Sequence, residues 1–140
     1  MAGVSPREPR APRARRQRGA QESLGAVVLG FESVIVFLGG LVVFGLRALP
    51  AAIEPWWGIV GGALLALAMV AVSGLLRHRW AIVVGWALQV VLALGAFLVP
   101  ALLFVALVFG GMWAYATIKG AALDRQNARR AADPDLSNGE

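Results

Sequence analysis

The chain has 140 residues, of which 59% are hydrophobic, and it carries a formal net charge of +5 at pH 7. Its mean hydropathy of +0.71 excludes an ordinary soluble domain of this size, because such a domain needs a polar surface. The sequence has no cysteine and one histidine, His78, which excludes disulfides, thiolate metal sites and a histidine-only metal site. We therefore expect neither a metal nor a cofactor.

Four apolar segments are long enough to cross a bilayer as helices, which takes about 17–25 residues each. Helices are favoured over strands because no alternating pattern is present, and because a spanning segment must satisfy its own backbone hydrogen bonds. The predicted spans are residues 24–46, 56–76, 80–99 and 101–118.

Three short breaks separate these spans: RALPAAIEP at residues 47–55, RHR at residues 77–79, and Pro100. Pro100 lacks a backbone donor and disfavours helix at Val99. The alternative is one kinked helix over residues 80–118. At about 1.5 Å per residue it would reach about 60 Å, roughly twice the thickness of the hydrocarbon core, so a hairpin at Pro100 is favoured.

The positive charges indicate the orientation of the spans. If both termini are cytoplasmic, twelve of the thirteen Lys and Arg residues fall inside and only Arg47 falls outside. Trp56 and Trp57 then lie at the outer interface and Trp80 at the inner one, as in an aromatic belt. The first span could be a cleaved signal peptide, but its 23 residues exceed the usual apolar region of one, which favours a retained anchor. The sequence thus predicts an all-α integral membrane protein with four transmembrane helices in two hairpins.

Two tails, residues 1–22 and 119–140, flank the predicted transmembrane domain of residues 23–118. The first tail holds three prolines and six arginines without apolar periodicity, so we expect it to be disordered. It either orients the protein or binds anionic lipid headgroups; no fold supports a nucleic-acid partner. The second tail is basic, and we expect it to be partly helical and to fray from Pro134.

Small residues four positions apart predict where helices approach closely, since helix association in lipid depends on packing and hydrogen bonds. Gly58 and Gly62 form such a ridge in the second span, and Gly110 and Ala114 form one in the fourth. In the first span, Gly39 shares the small-residue face with Glu32. The opposite face, which we predict to meet lipid, consists of Val27, Val28, Phe31, Val34, Ile35, Leu38, Leu41 and Val42.

Glu32 is the one ionisable residue of the first span, and an acid near the bilayer centre costs about 2.5–3.5 kcal/mol on insertion scales. Burial disfavours the charged form, so we expect Glu32 to be largely protonated. Gln89 is the only amide in the four predicted spans. Both residues lie about 12–14 Å from the predicted inner surface, at 1.5 Å per residue, so we expect them to form a hydrogen bond that Ser33 could join.

Two hypotheses follow for this pair. In the first, Glu32 and Gln89 form a polar clamp that fixes helix register or oligomeric state. In the second, Glu32 binds a proton or a cationic substrate, since intramembrane acids are candidates for functional sites. No phosphate-binding loop, metalloprotease motif or pair of acids within a span is present, so we expect no enzymatic activity.

A four-span chain with a glutamate in its first span is similar at first sight to the small multidrug resistance transporters. In that family the glutamate binds protons and cationic drugs. Only Glu32 matches the family's pattern, and the strong charge asymmetry departs from its dual-topology members, so we interpret this likeness as convergence.

A second resemblance covers about residues 20–125. It rests on LGAVVLGFESVIVFLGGLVVFGL in the first span, the RHRW turn, and VVGWALQVVLALGAFLVPALLFVALVFGGMWAYATIKG in the last two spans. These segments resemble a family of small uncharacterised actinobacterial membrane proteins, a domain of unknown function whose gene often neighbours folylpolyglutamate synthase. The resemblance implies four helices in a bacterial plasma membrane, and it assigns no particular activity.

The sequence therefore predicts a multi-pass plasma-membrane protein that acts as a noncatalytic scaffold or accessory subunit. Its expected partners are the bilayer, anionic headgroups at the Arg-rich tail, and a second copy or another membrane protein. The alternative is a small proton-coupled transporter that uses Glu32.

Overall fold

The computed structural model describes residues 18–133 and contains four helices. They are α1 (Ala20–Gly45), α2 (Trp57–Leu75), α3 (Arg79–Gly95) and α4 (Ala101–Ala132). The predicted disorder of residues 1–17 and the predicted fraying of residues 134–140 lie outside the described residues.

The helices form an up-and-down bundle in which each packs against its neighbours in the order α1, α2, α3, α4 and back to α1. The largest interface joins α1 and α2, and the smallest joins α2 and α3. The first residue of α1, Ala20, lies beside Asp124 of α4. We call this end of the bundle the base and the opposite end the top.

Three of the described helices, α1, α2 and α4, are long and apolar enough to cross a membrane. The third is shorter than predicted: α3 has 17 residues, about 25 Å, and ends at Gly95 instead of Val99. From there to Pro100 the chain makes tighter turns, in which Phe97 N–H donates to Leu94 C=O and Leu98 N–H to Gly95 C=O. The proline disfavours helical geometry at Val99, and the tighter turns end α3 four residues before that position.

The other helices run close to their predicted limits, except that α4 continues 14 residues past the predicted span end at Ile118, to Ala132. Most of the added residues are good helix formers, including five alanines from Ala121 to Ala132. At the opposite end of the chain, α1 already begins at Ala20, inside the segment predicted to be a tail.

Large apolar side chains cover the outside of the bundle. Phe31 is 68% exposed, Phe104 is 73% exposed and Leu107 is 67% exposed, and similar residues occur on all four helices. A soluble monomer rarely exposes such a continuous apolar surface, whereas lipid tails cover it without cost. The surface and the three long apolar helices are those of a membrane protein.

Backbone-to-backbone packing of glycines joins α1 to α2 near the top of the bundle. A Cβ added at Gly40 would lie 2.6 Å from the carbonyl oxygen of Gly58. A Cβ added at Gly62 would lie 2.9 Å from the Cα of Gly40, and one at Gly58 would lie 2.8 Å from Val43 Cγ1. At Gly40 and Gly62 the nearest atoms are backbone, so a side chain would require a shift of one helix, whereas at Gly58 the side chain of Val43 would have to move.

The structure corrects two details of the predicted face of α1. The close contact is made by Gly40 and not by Gly39, where an added Cβ would meet no atom within 4 Å. Val28, predicted to meet lipid, is buried at 5% exposure, because the packed stripe is rotated toward Leu29, Val36 and Val43. The other residues of the predicted lipid face are exposed.

The end of α1 carries an unusual residue for its geometry. Arg47 has a positive φ of 49°, the left-handed conformation that glycine adopts most easily. Its N–H donates to Phe44 C=O and the N–H of Ala48 donates to Val43 C=O, which is the hydrogen-bond pattern of a Schellman motif. An arginine in this position costs about 1–2 kcal/mol of backbone strain.

Candidate functional site

Glu32 and Gln89 meet inside the bundle. The Nε2 of Gln89 donates to Oε2 of Glu32 at 2.6 Å, a short hydrogen bond. Glu32 is fully buried and Gln89 is 6% exposed. Since α1 and α3 are not adjacent in the ring of helices, the two long side chains connect elements that otherwise make little contact.

The helical spacing of each sequence explains why both side chains point inward. Glu32 lies on the buried stripe of α1, three residues after Leu29 and four before Val36. Gln89 lies on the buried stripe of α3, four residues after Gly85 and three before Leu92. Residues three and four apart share a helix face, so the apolar stripes orient the two polar residues toward the bundle axis.

The other predicted site residues are only partly brought together with this pair. Gly110 is next to it: an added Cβ would lie 3.7 Å from Gln89 Oε1. Ala114 is half-buried one turn further along α4. Ser33 does not join the pair, because its hydroxyl donates to the carbonyl of Gly30 at 2.7 Å. The packing glycines Gly58 and Gly62 belong to the separate contact near the top.

Trp113 is a third member of the site that the sequence reasoning did not select. It is fully buried, and its indole ring fills the space between α1 and α3 beside Gly25 and Gly85. A Cβ added at Gly25 would lie 3.3 Å from Cζ3 of the ring, and one at Gly85 would overlap the ring. Its contact with the two glycines could not be predicted from the sequence, because it depends on which helices are neighbours.

Three buried polar atoms of this cluster have no hydrogen-bond partner within the described residues. They are Oε1 of Glu32, Oε1 of Gln89 and Nε1 of Trp113. Most buried polar groups in proteins are hydrogen-bonded, and an unpartnered one costs about 1–3 kcal/mol. The cluster therefore retains hydrogen-bonding capacity: two acceptors on Glu32 and Gln89, and one donor on Trp113.

A second polar contact lies at the base and was also absent from the sequence reasoning. The carboxylate of Asp124 accepts from the N–H of Ala20 at 2.6 Å and from the N–H of Gln21 at 3.1 Å. No side chain of α1 itself caps this helix, whose N-cap is Gly19. Asp124 thus supplies from α4 the acceptor, and the negative charge, that a helix N-terminus requires.

At the base, α1 and α4 also contact each other closely through Gln21. Gln21 Nε2 donates to the carbonyl of Thr117 at 3.0 Å, and a Cβ added at Gly120 would overlap the backbone of Gln21. The extension of α4 beyond its predicted span is therefore packed against the start of α1.

An apolar cavity of about 260 Å³ lies toward the top, between all four helices. Its lining includes Val36 and Leu92, each one turn from a member of the polar pair, and the open glycines Gly39 and Gly61. The lining is almost entirely aliphatic and glycine, so the cavity suits apolar groups.

Chemically, the pair can hold one proton or one hydrogen bond at a time, because Glu32 is its only ionisable group. Among residues 18–133, no group of three or more His, Asp or Glu side chains is close enough to hold a metal ion. His78, the only histidine, is exposed in the loop between α2 and α3, where Arg77 Nε donates to its Nε2 at 3.0 Å.

Comparison with known proteins identifies a family but no characterised relative. No curated protein matches the chain, and no solved structure matches it. One family model, described as "Protein of unknown function (DUF4233)", matches residues 23–129, a range that holds all of α2 and α3, nearly all of α1 and most of α4. The match covers Glu32, Gln89, Trp113 and Asp124 together, and the chain therefore belongs to the DUF4233 family.

Proposed function

We propose that this protein is a four-span component of the bacterial plasma membrane that acts as a noncatalytic scaffold or accessory subunit. The observation that carries the proposal is the Glu32–Gln89 hydrogen bond, which is enclosed in the bundle and joins two helices that are not neighbours. In this function the pair is a clamp that fixes helix register. The family resemblance further suggests an actinobacterial source and a gene beside folylpolyglutamate synthase.

The contact at the base supports four crossings with both termini on one side. Because Ala20 lies beside Asp124, the start of α1 and the end of α4 share one end of the bundle. If α1, α2 and α4 all cross, residues 79–99 must carry the chain from the base to the top. The turns between Gly95 and Val99 are apolar and extend the short α3 toward the required thickness.

The distribution of charge supports a cytoplasmic base. All the basic residues among residues 18–133 except Arg47 then lie on the cytoplasmic side, and Arg47 lies at the top. The basic residues that follow the membrane segment on α4 include Lys119, Arg125 and Arg129, which are exposed and suited to anionic headgroups.

The clamp is favoured over a transport site because the bundle offers little polar lining. Between Ser33 and Leu46 the chain of α1 has no further polar side chain, and the cavity above the pair is apolar. A path for a hydrophilic substrate normally carries several polar groups.

The second candidate, a small proton-coupled transporter, is favoured by one observation. The cavity of about 260 Å³ ends at Val36 and Leu92, one helical turn from Glu32 and Gln89. A group that entered the cavity from the top would approach Glu32, the one fully buried acid among residues 18–133. Binding of that group in the cavity would then be coupled to a change in the protonation of Glu32.

The Glu32→Gln variant separates the two candidates. Glutamine reproduces the size and hydrogen bonding of a neutral acid, so the clamp predicts expression, thermal stability and oligomeric state close to wild type. Transport predicts that the assembled variant loses proton-dependent flux in liposomes. A wild-type protein that collapses a proton gradient, together with an inactive but assembled Glu32→Gln variant, would contradict the scaffold proposal. Gly74→Ala, a change in open space on α2 that touches neither the pair nor the cavity, is the control.

A further inference from the structure

We infer that Glu32, Gln89 and Trp113 together form a binding site for a single water molecule at the centre of the bundle. The inference deepens the proposed clamp and rests on its Glu32–Gln89 contact. It adds α4 to the polar connection between α1 and α3.

The three unpartnered atoms match the hydrogen-bonding capacity of water. The orphaned atoms are two acceptors, Oε1 of Glu32 and Oε1 of Gln89, and one donor, the Nε1–H of Trp113. One water accepts from the indole N–H and donates one hydrogen to each oxygen. If Glu32 carries its proton on Oε1, the water accepts from that group instead and still donates to Gln89. Buried waters in proteins typically make about three such bonds.

The directions of the helices bring these groups toward one layer. Long side chains on a helix lean toward its N-terminus. Since α1 and α3 run from base to top, Glu32 and Gln89 lean toward the base. Since α4 runs from top to base, Trp113 leans toward the top. The three side chains therefore converge from opposite directions.

Contacts of the neighbouring glycines place the groups close together. Gln89 Oε1 lies 3.7 Å from the position of a Cβ on Gly110, one turn from Trp113 on the same helix. The indole atom Cε2, which is bonded to Nε1, lies 2.9 Å from the position of a Cβ on Gly85, one turn from Gln89. The indole N–H of α4 and the side-chain amide of α3 therefore lie within about one helical turn of each other in the interface between these two helices.

The burial of the cluster favours water over a larger ligand. Glu32 and Trp113 have no exposed surface, and Gln89 is 6% exposed. The apolar cavity is lined by residues one turn away, and none of the three polar side chains lines it. A site enclosed by side chains with two acceptors and one donor selects the smallest molecule that can satisfy all three.

The test uses the full-length protein in nanodiscs with ¹⁵N-labelled indoles and ¹⁵N-labelled glutamine. The Trp113 indole signal is identified by its loss in Trp113→Phe. If that variant does not fold, the Trp113 signal can be identified by elimination. It is the one indole signal that persists in all four variants of the exposed tryptophans: Trp56→Phe, Trp57→Phe, Trp80→Phe and Trp86→Phe. The wild type should show a rotating-frame cross-peak between this N–H and water, and Gln89→Leu and Glu32→Leu should lose it. Glu32→Gln, which keeps polar atoms at the position, should retain it.

A Trp113 indole signal without a water cross-peak in the wild type would overturn the water site. A cross-peak that persists in both leucine variants would also overturn it, because the water would then lie elsewhere. The side-chain amide signal of Gln89 reports the clamp separately. If this signal shifts in Glu32→Leu while the wild type shows no water cross-peak, the clamp stands and the water site fails. If it does not shift, the clamp itself fails.

Discussion

The bundle is held together in two different ways at its top and at its centre. Near the top, Gly40, Gly58 and Gly62 bring the backbones of α1 and α2 into contact without any polar side chain. At the centre, Glu32 and Gln89 join α1 to α3 by a hydrogen bond. In lipid, apolar burial gives helices little reason to associate, so packing and hydrogen bonds are the remaining sources of affinity. In this bundle the packing contact at Gly40 and the hydrogen bond at Glu32 lie about two helical turns apart on α1.

The glycine contact and the polar contact should therefore respond to different substitutions. The glycine contact depends on the absence of a Cβ, so any side chain disrupts it. The polar contact depends on complementary hydrogen-bonding groups, so a substitution that keeps them is tolerated and one that removes a single partner is not.

The largest effect is expected at the glycine contact. Gly40→Ala should destabilise the bundle by about 1–3 kcal/mol, because the new Cβ would lie 2.6 Å from the backbone carbonyl of Gly58. Reversible denaturation in mixed micelles, followed by circular dichroism, measures the change. The matched control is Gly39→Ala, whose added Cβ meets no atom within 4 Å and which should stay within about 0.5 kcal/mol of wild type. Equal effects at the two neighbours would contradict the packing assigned to α1.

An intermediate effect is expected at the base. Asp124→Ala should cost about 0.5–2 kcal/mol, because the N–H groups of Ala20 and Gln21 lose their acceptor. Hydrogen–deuterium exchange should show faster exchange confined to the first turn of α1. Asp133→Ala, which changes an exposed acid at the end of the same helix, is the control and should leave that turn unchanged. Unchanged exchange in Asp124→Ala would show that Asp124 does not cap α1.

A smaller effect of opposite sign is expected at the top. Arg47→Gly should stabilise the protein by about 1 kcal/mol, since glycine adopts the φ of 49° without strain. Arg47→Ala removes the same side chain but keeps the strain, so it separates the backbone effect from the loss of charge. Thermal denaturation of the two variants side by side measures the difference. A Tm for Arg47→Gly at or below that of Arg47→Ala would contradict the strain at this position.

The helices and the depth of the polar pair could be predicted from the sequence. A rise of about 1.5 Å per residue, counted from the same side, puts Glu32 and Gln89 at one level whatever the arrangement of the helices. The exact faces could not be predicted. Gly39 and Gly40 are 100° apart on α1, and the choice between them depends on where α2 lies. Val28 is buried for the same reason, since the apolar pattern of a membrane helix does not distinguish lipid from protein.

The contacts that depend on the ring of helices were invisible in the sequence. Nothing in the sequence distinguishes Trp113 from the other aromatic residues. Its role depends on the positions of α1 and α3, whose Gly25 and Gly85 contact the indole ring. Asp124 was one acid in a tail expected to be partly helical, because nothing local shows that this helix packs beside the start of α1. The shortened α3 reflects the turns before Pro100, whose extent depends on the hairpin that α3 forms with α4.

The most direct test of the clamp is a double-mutant cycle with Glu32→Leu, Gln89→Leu and the double variant, with unfolding free energies measured in the same micelles. Each single change leaves one polar group buried without its partner, whereas the double change removes both. We expect the double variant to be less destabilised than the sum of the single variants, with a coupling energy of about 0.6–1.7 kcal/mol. Additive effects, with no coupling between the two positions, would contradict a structural hydrogen bond between Glu32 and Gln89.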